Sequence, residues 1–196
     1  TGSITDVTIT LAGIPAGSRA RDALGKIKSD GDATGVTLDI TDDVGTIEFK
    51  GNVDDLNVTV NSEVKSVKLG LVDTANLDVD SVGRADAVQW LDGTLIATDI
   101  KSLKTRGDRR SNVPGDFGPD VTVNESGAST ERNAVGSAGI SGTLSGAWRV
   151  TGVTGATRDS AAGRIQAEAI DAGFVAHFLG DVGSLSSKSF FDGFAA

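Results

Sequence analysis

A short phrase recurs along this chain: an aliphatic residue, a small or flexible residue, one variable position, then a second aliphatic residue. It occurs at Leu24-Gly25-Lys26-Ile27, Val44-Gly45-Thr46-Ile47, Val64-Lys65-Ser66-Val67, Ile100-Lys101-Ser102-Leu103 and Val182-Gly183-Ser184-Leu185, with looser versions at Val82-Gly83-Arg84-Ala85 and Val135-Gly136-Ser137-Ala138. The occurrences at 24, 44, 64, 82 and 100 are spaced by 20, 20, 18 and 18 residues. A fixed period of that size is the signature of a repeat architecture, and it is too short for the helical solenoid repeats of about 33 residues or more.

Between these phrases, apolar residues alternate with polar ones, as in Val36-Thr37-Leu38-Asp39-Ile40, Leu56-Asn57-Val58-Thr59-Val60, Leu77-Asp78-Val79 and Trp148-Arg149-Val150. Alternation of period two places one face of a strand inward. The separators are turn residues, Asp30-Gly31-Asp32, Gly51 to Asp55 and Asp92-Gly93, which tolerate or supply positive φ. Each period therefore reads as strand, turn, strand, turn. The chain is expected to be all-β, a parallel β-helix or β-solenoid of about 18 to 20 residues per coil, each strand stacking on its counterpart in the next coil. At roughly 4.8 Å per coil, eight or nine coils form a rod on the order of 40 Å long.

A longer period lies above the coil. Asp6 to Thr10 returns as Asp120 to Asn124, each followed by a loop of small and charged residues, Ala12 to Arg21 and Glu125 to Asn133. Leu56/Val58/Val60 matches Ile165/Ala167/Ala169, and Val82-Gly83 with Trp90-Leu91-Asp92-Gly93 matches Val182-Gly183 with Phe190-Phe191-Asp192-Gly193. The whole of 1–196 then reads as one continuous solenoid, a first module over 1–114 and an incomplete second over 115–196, with Ala167 and Ala169 in place of valines thinning the second core. The sequence reads as a piece of a longer array, with uncapped terminal coils that invite neighbouring copies or modules.

Composition restricts the chemistry. The chain has no Cys and no Tyr, and its only imidazole is His177, so disulfides, thiolate metal sites, cysteine nucleophiles and multi-histidine zinc sites are excluded. The acids are 22 Asp against 5 Glu, with 26 Gly, a turn-rich and helix-poor mixture. A net charge of −9 has the wrong sign for a general nucleic-acid or anionic-membrane binder. No apolar run is long enough to cross a bilayer as a helix.

The stretch Ala87-Val88-Gln89-Trp90-Leu91-Asp92-Gly93, then Ile100 to Asp108, then Pro114-Gly115-Asp116-Phe117-Gly118-Pro119-Asp120, resembles repeats of large secreted or cell-surface β-solenoid proteins encoded in planctomycete genomes and related metagenomes. The likeness extends over nearly the whole chain. It implies an extracellular or cell-surface β-solenoid of no established activity, and it supplies no catalytic residues. The second module departs from the pattern at Phe190-Phe191.

Few residue groups point to chemistry. The densest basic cluster is Lys101, Lys104, Arg106, Arg109 and Arg110, a candidate anion-binding patch for an acidic polysaccharide or a neighbouring acidic coil, although solvated turn cations look the same in sequence. Aspartates repeated in stacked turns, Asp30, Asp32, Asp42, Asp43, Asp54, Asp55, Asp73, Asp78 and Asp80, are weak Ca²⁺ candidates, because a hard cation relieves their repulsion; no known calcium-loop motif accompanies them. No cofactor is required by the sequence. A polysaccharide-lyase reading would combine such carboxylates with a basic residue, without a marking spacing. His177 reads as a strand-edge or half-buried residue, Trp90 and Trp148 as core, and no threonine ladder of the ice-binding kind is expected beyond Thr8-Ile9-Thr10. The expectation is a non-catalytic extracellular structural or adhesive module that self-associates or presents a surface, with a carbohydrate-binding or lyase-like β-helix as the alternative. No nucleic-acid partner and no membrane insertion are expected.

Overall fold

A computed structural model describes residues 2–14, 21–124, 133–151 and 160–190. Among these there is no helix, and thirteen strands join in one sheet in which every strand pairing is parallel. They are β1 (Ile4–Thr5), β2 (Thr8–Leu11), β3 (Leu24–Ser29), β4 (Ala33–Ile40), β5 (Val44–Val82), β6 (Ala85–Ala97), β7 (Asp99–Thr105), β8 (Asp120–Val123), β9 (Val135–Leu144), β10 (Ala147–Thr151), β11 (Ser160–Ile170), β12 (Val175–Leu179) and β13 (Asp181–Phe190). The chain is a parallel β-solenoid, and its coils follow three walls.

Wall A carries the recurring phrase. Its register runs Leu24↔Val44, Val82↔Ile100, Ile100↔Val135, Val135↔Ala162 and Ala162↔Val182, so the first aliphatic residue of each phrase forms one internal column. Wall B is a short corner column in which Ile4 pairs with Ala33, Ala33 with Val53, Val72 with Trp90, Trp90 with Phe117, Phe117 with Leu144, and Leu144 with Ile170. Wall C holds the alternating stretches, with Ile9↔Leu38↔Val58 at one end and Leu95↔Val121↔Trp148↔Ala176 at the other. The 39-residue β5 passes along all three walls almost twice, which explains how one strand can be so long.

Inward residues of the three walls fill one continuous core, from Ala33 and Val36 through Phe49, Leu77 and Ile100 to Ile165 and Ile170. Trp90 and Trp148 are 1% and 2% exposed, in the core as their polar neighbours suggest. From Trp90 an edge-to-face series of rings continues to Phe117, Trp148 and Phe174, with centroids 5.5, 5.9 and 6.1 Å apart. Such T-shaped contacts suit the ring quadrupoles. They lie in the coils where Ala138, Ala161, Ala162 and Ala167 are buried, so aromatic volume occupies space that the alanines leave.

Coil length is regular only at first. Wall A entries at 24, 44, 64, 82, 100, 135, 162 and 182 give spacings of 20, 20, 18, 18, 35, 27 and 20 residues. The 35-residue coil includes a small hairpin closed by the antiparallel bridge Asp108↔Val113, inserted between walls A and B. Most of the loops read at Ala12 to Arg21 and Glu125 to Asn133 lie outside the described residues. Of the module matches, Val82 and Val182 share wall A, and Trp90 and Phe190 share wall B. The match of Leu56/Val58/Val60 to Ile165/Ala167/Ala169 does not correspond in space, since the first set lies on wall C and Ile165 and Ala167 on wall A. Walls A and C both alternate apolar and polar residues, so the pattern alone does not tell them apart.

Candidate functional site

The residues that make the sequence distinctive are used to build coils. In Trp90-Leu91-Asp92-Gly93 the Trp90 indole N–H donates to the Asp92 carbonyl at 2.9 Å. Gly93 has φ +117°, and a Cβ there would stand 1.9 Å from the Ala75 carbonyl oxygen of the coil before. In Gly115-Asp116-Phe117-Gly118, Phe117 is a buried inner ring of the aromatic series, between Trp90 and Trp148, and the Asp116 carboxylate accepts the Thr143 N–H of the next coil at 2.7 Å.

Aspartates repeat that stapling. Asp32 accepts the Asn52 N–H at 2.8 Å, Asp43 the Glu63 N–H at 3.3 Å, and Asp120 the Ala147 N–H at 2.8 Å. Each satisfies a backbone donor of the following coil at a corner where the ladder breaks, and an unsatisfied donor there would be costly. The other calcium candidates are dispersed. Asp42 accepts the Ile14 N–H, Asp55 takes the Asn57 amide at 2.9 Å from a positive φ of 51°, and Asp78 and Asp80 lie along a shallow depression with Asn61 and Asn124. Asp54 and Asp73 sit at wall B corners. Asp30 is gripped by Lys50 at 2.8 Å and Lys28 at 3.0 Å, and those hydrogen bonds hold its carboxyl down to about 2. Among the described residues, no three acids or imidazoles converge as a metal site would require.

The basic cluster is divided by the coil. Lys101 turns toward Glu63, at 3.6 Å, and Arg110 lies exposed on the hairpin. Lys104 on wall A and Arg106 just beyond its end each share a depression with Arg109 of the hairpin. The outward positions of this wall stack Lys68, Asp86, Lys104, Gly139, Gln166 and Ser186 in register. Asp86, 3% exposed, binds Arg84 at 2.7 Å and stands 3.9 Å from Arg106; its other carboxylate oxygen, Oδ1, is buried without a partner. Lys104 and Arg109 have no acidic partner within ion-pair distance among the described residues.

Arg109 is held in place by the hairpin. The Gly107 N–H donates to the Val88 carbonyl at 2.9 Å, and Asp108 accepts the Arg110 N–H at 2.9 Å and the Ser111 hydroxyl at 2.8 Å. These bonds, that of Ser111 foremost, hold the Asp108 carboxyl below the usual carboxylate range. Below the hairpin run two adjoining depressions of about 440 and 350 Å³ that share Arg109 and Ser141. The first is bounded by Arg106, Asn112 and Pro114, the second by Lys104, Gly139, Gln166 and Lys188. The sequence showed the cations but not this groove, because Gly139, Gln166 and Lys188 reach it only through coil stacking.

His177 is exposed on β12, the last strand of wall C, opposite Arg149. Wall C's outward ladder mixes residues: Thr10 faces Asp39, Asp39 faces Thr59, and Ile96 faces Thr122, so threonines do not form an unbroken file. The last coil leaves its edge open. Among the described residues β12 pairs only with β10 and β13 only with β11, and Val175, Leu179, Val182 and Leu185 are 64%, 51%, 36% and 40% exposed there. Comparison with protein-family models, with curated proteins and with solved structures finds no match to this chain.

Proposed function

We propose that this chain is a non-catalytic structural or adhesive module of the extracellular space or cell surface, a stiff rod that extends by edge association and presents its walls to partners. The observation that carries this reading is the open last coil, where two strand edges unpaired among the described residues run beside exposed Val175, Leu179, Val182 and Leu185. Unpaired edges with apolar side chains template further strands. The first described coil offers a matching surface: on wall A Leu24 and Ile27 have the same spacing as Val182 and Leu185, and on wall C Ile9 and Leu11 match Ala176 and Phe178.

A structural role is supported also by the work done by the distinctive phrases, which fill the core, turn corners and staple coils. The extracellular setting rests on the resemblance of the Trp90 and Phe117 stretches to secreted repeats. Light scattering over a concentration series tests the association. The expected mass of the wild type rises with concentration, and a Val182→Lys/Leu185→Lys variant stays monomeric; a wild type that is monomeric at every concentration contradicts the reading.

A further inference from the structure

We infer that the wall A groove under the Asp108–Val113 hairpin is a binding site for an acidic polysaccharide, a linear glycan carrying carboxylates or sulfates. This is independent of association through the coil edges. Three observations converge on it.

The first is charge that the fold leaves unanswered. In the early coils most of wall A's cations, Lys68 excepted, are neutralised at home: Lys26 reaches Glu48 at 2.5 Å, Lys28 and Lys50 share Asp30, and Arg84 holds Asp86. Around the groove Lys104 and Arg109 lack acidic partners among the described residues, and Glu168, which lines it, pairs with Lys188 at 2.7 Å. A protein of net charge −9 therefore keeps a basic strip on one wall.

The second is Gly139. Its position in the outward ladder lies between Lys104 and Gln166. Glycine weakens a strand interior, and where it is kept it often marks close approach of backbone or ligand. At Gly45, Gly83, Gly136, Gly163 and Gly183 the backbone explains it, because a Cβ would stand 2.3 to 2.6 Å from a carbonyl oxygen of the preceding coil. At Gly139 a Cβ would meet nothing within 4 Å. Packing does not require glycine there, and its effect is to open a notch between two polar side chains.

The third is extent. Lys104, Gly139, Gln166 and Lys188 belong to four successive coils, so the outer cations stand roughly 14 Å apart at about 4.8 Å per coil. A groove of that length fits several linked sugars better than one small anion. Its polar lining of Ser141, Gln166 and Asn112 offers hydrogen bonds to hydroxyls. Nucleic acid is disfavoured: its charge is denser, the chain is acidic overall, and Trp90 and Trp148 are buried, so the groove offers no indole on which bases could stack.

Binding is measured on the whole chain at a concentration below any self-association, with oligogalacturonate and dextran sulfate as probes, neutral dextran as control and a single-stranded oligonucleotide as competitor class. At least one acidic glycan is expected to bind, more weakly as salt is raised. Lys104→Ser/Arg109→Ser and Gly139→Asp should each weaken it by about tenfold or more, while Lys26→Ser/Lys28→Ser, on the same wall outside the groove, leaves it unchanged. Circular dichroism and thermal midpoints confirm that the variants are folded. Since Gly139→Asp and the double serine variant perturb the site by different means, one folded variant of the two is sufficient. Absence of binding to both acidic glycans, equal binding of neutral dextran, tighter binding of the oligonucleotide, or wild-type affinity in the folded groove variants overturns the inference.

Discussion

Two glycines illustrate how differently one residue type acts along this chain. Gly93 turns a corner at φ +117° where a Cβ would collide with the Ala75 carbonyl, whereas Gly139 lies in an outward strand position facing open space. Alanine at Gly93 has to adopt a backbone conformation closed to side chains and to push a neighbouring coil aside, at a cost on the order of 1–3 kcal/mol or more. Alanine at Gly139 only removes unfolded-state freedom, so Gly139→Ala is expected to stabilise by about 0.4–1 kcal/mol. Urea unfolding of the two variants should show opposite shifts of midpoint. Equal shifts would mean that Gly139 also answers a packing demand. Aspartate was legible as a turn residue from the sequence; its inter-coil stapling was not, because Asp116 and Thr143 come together only when one coil lies on the next.

At the scale of the strand, period-two alternation and the recurring phrase located most of the wall segments, and Val36 to Ile40 and Leu56 to Val60 are strands with the expected inward faces. Less visible was where a strand turns a corner without ending, as β5 does repeatedly, since the apolar rhythm continues past the bend. The alanines of the later coils suggested a thinner core. They are offset by rings arriving from other walls: Phe117 from wall B packs against Trp148 of wall C, a juxtaposition that sequence distance conceals. Phe117 is fully buried between two indoles, so Phe117→Ala should lose about 3–5 kcal/mol, and Phe117→Leu distinctly less. Thermal or denaturant unfolding monitored by Trp fluorescence checks this. A loss below about 1 kcal/mol for the alanine variant would show that the ring series does not tie the later coils together.

Over the whole molecule, short-range repetition becomes a rod in which each coil touches only its neighbours, and interfaces between coils carry the stability. The spacing of 18 to 20 residues disclosed the architecture, but the coils of 35 and 27 residues escaped it because insertions between walls dilute the period. One of those insertions carries Arg109 to the groove, so the part of the site least visible in sequence is the part that breaks the repeat. Stacking also sorts the charges: acids collect at corners, where they cap backbone donors, and cations collect on wall A.

Parallel, in-register stacking underlies every functional proposal, and the cysteine-free chain allows a direct test by spin labels placed in pairs. Ser66, Ser102, Ser137 and Ser184 occupy one outward file of wall A, with Ser137 three coils and Ser184 five coils from Ser66. Pulsed electron spin resonance should give Ser66–Ser184 a separation near 24 Å and Ser66–Ser137 one near 14 Å, broadened by label linkers but increasing by about 4.8 Å for each coil crossed. Separations that do not increase along the file Ser102, Ser137, Ser184 would contradict the stacked solenoid.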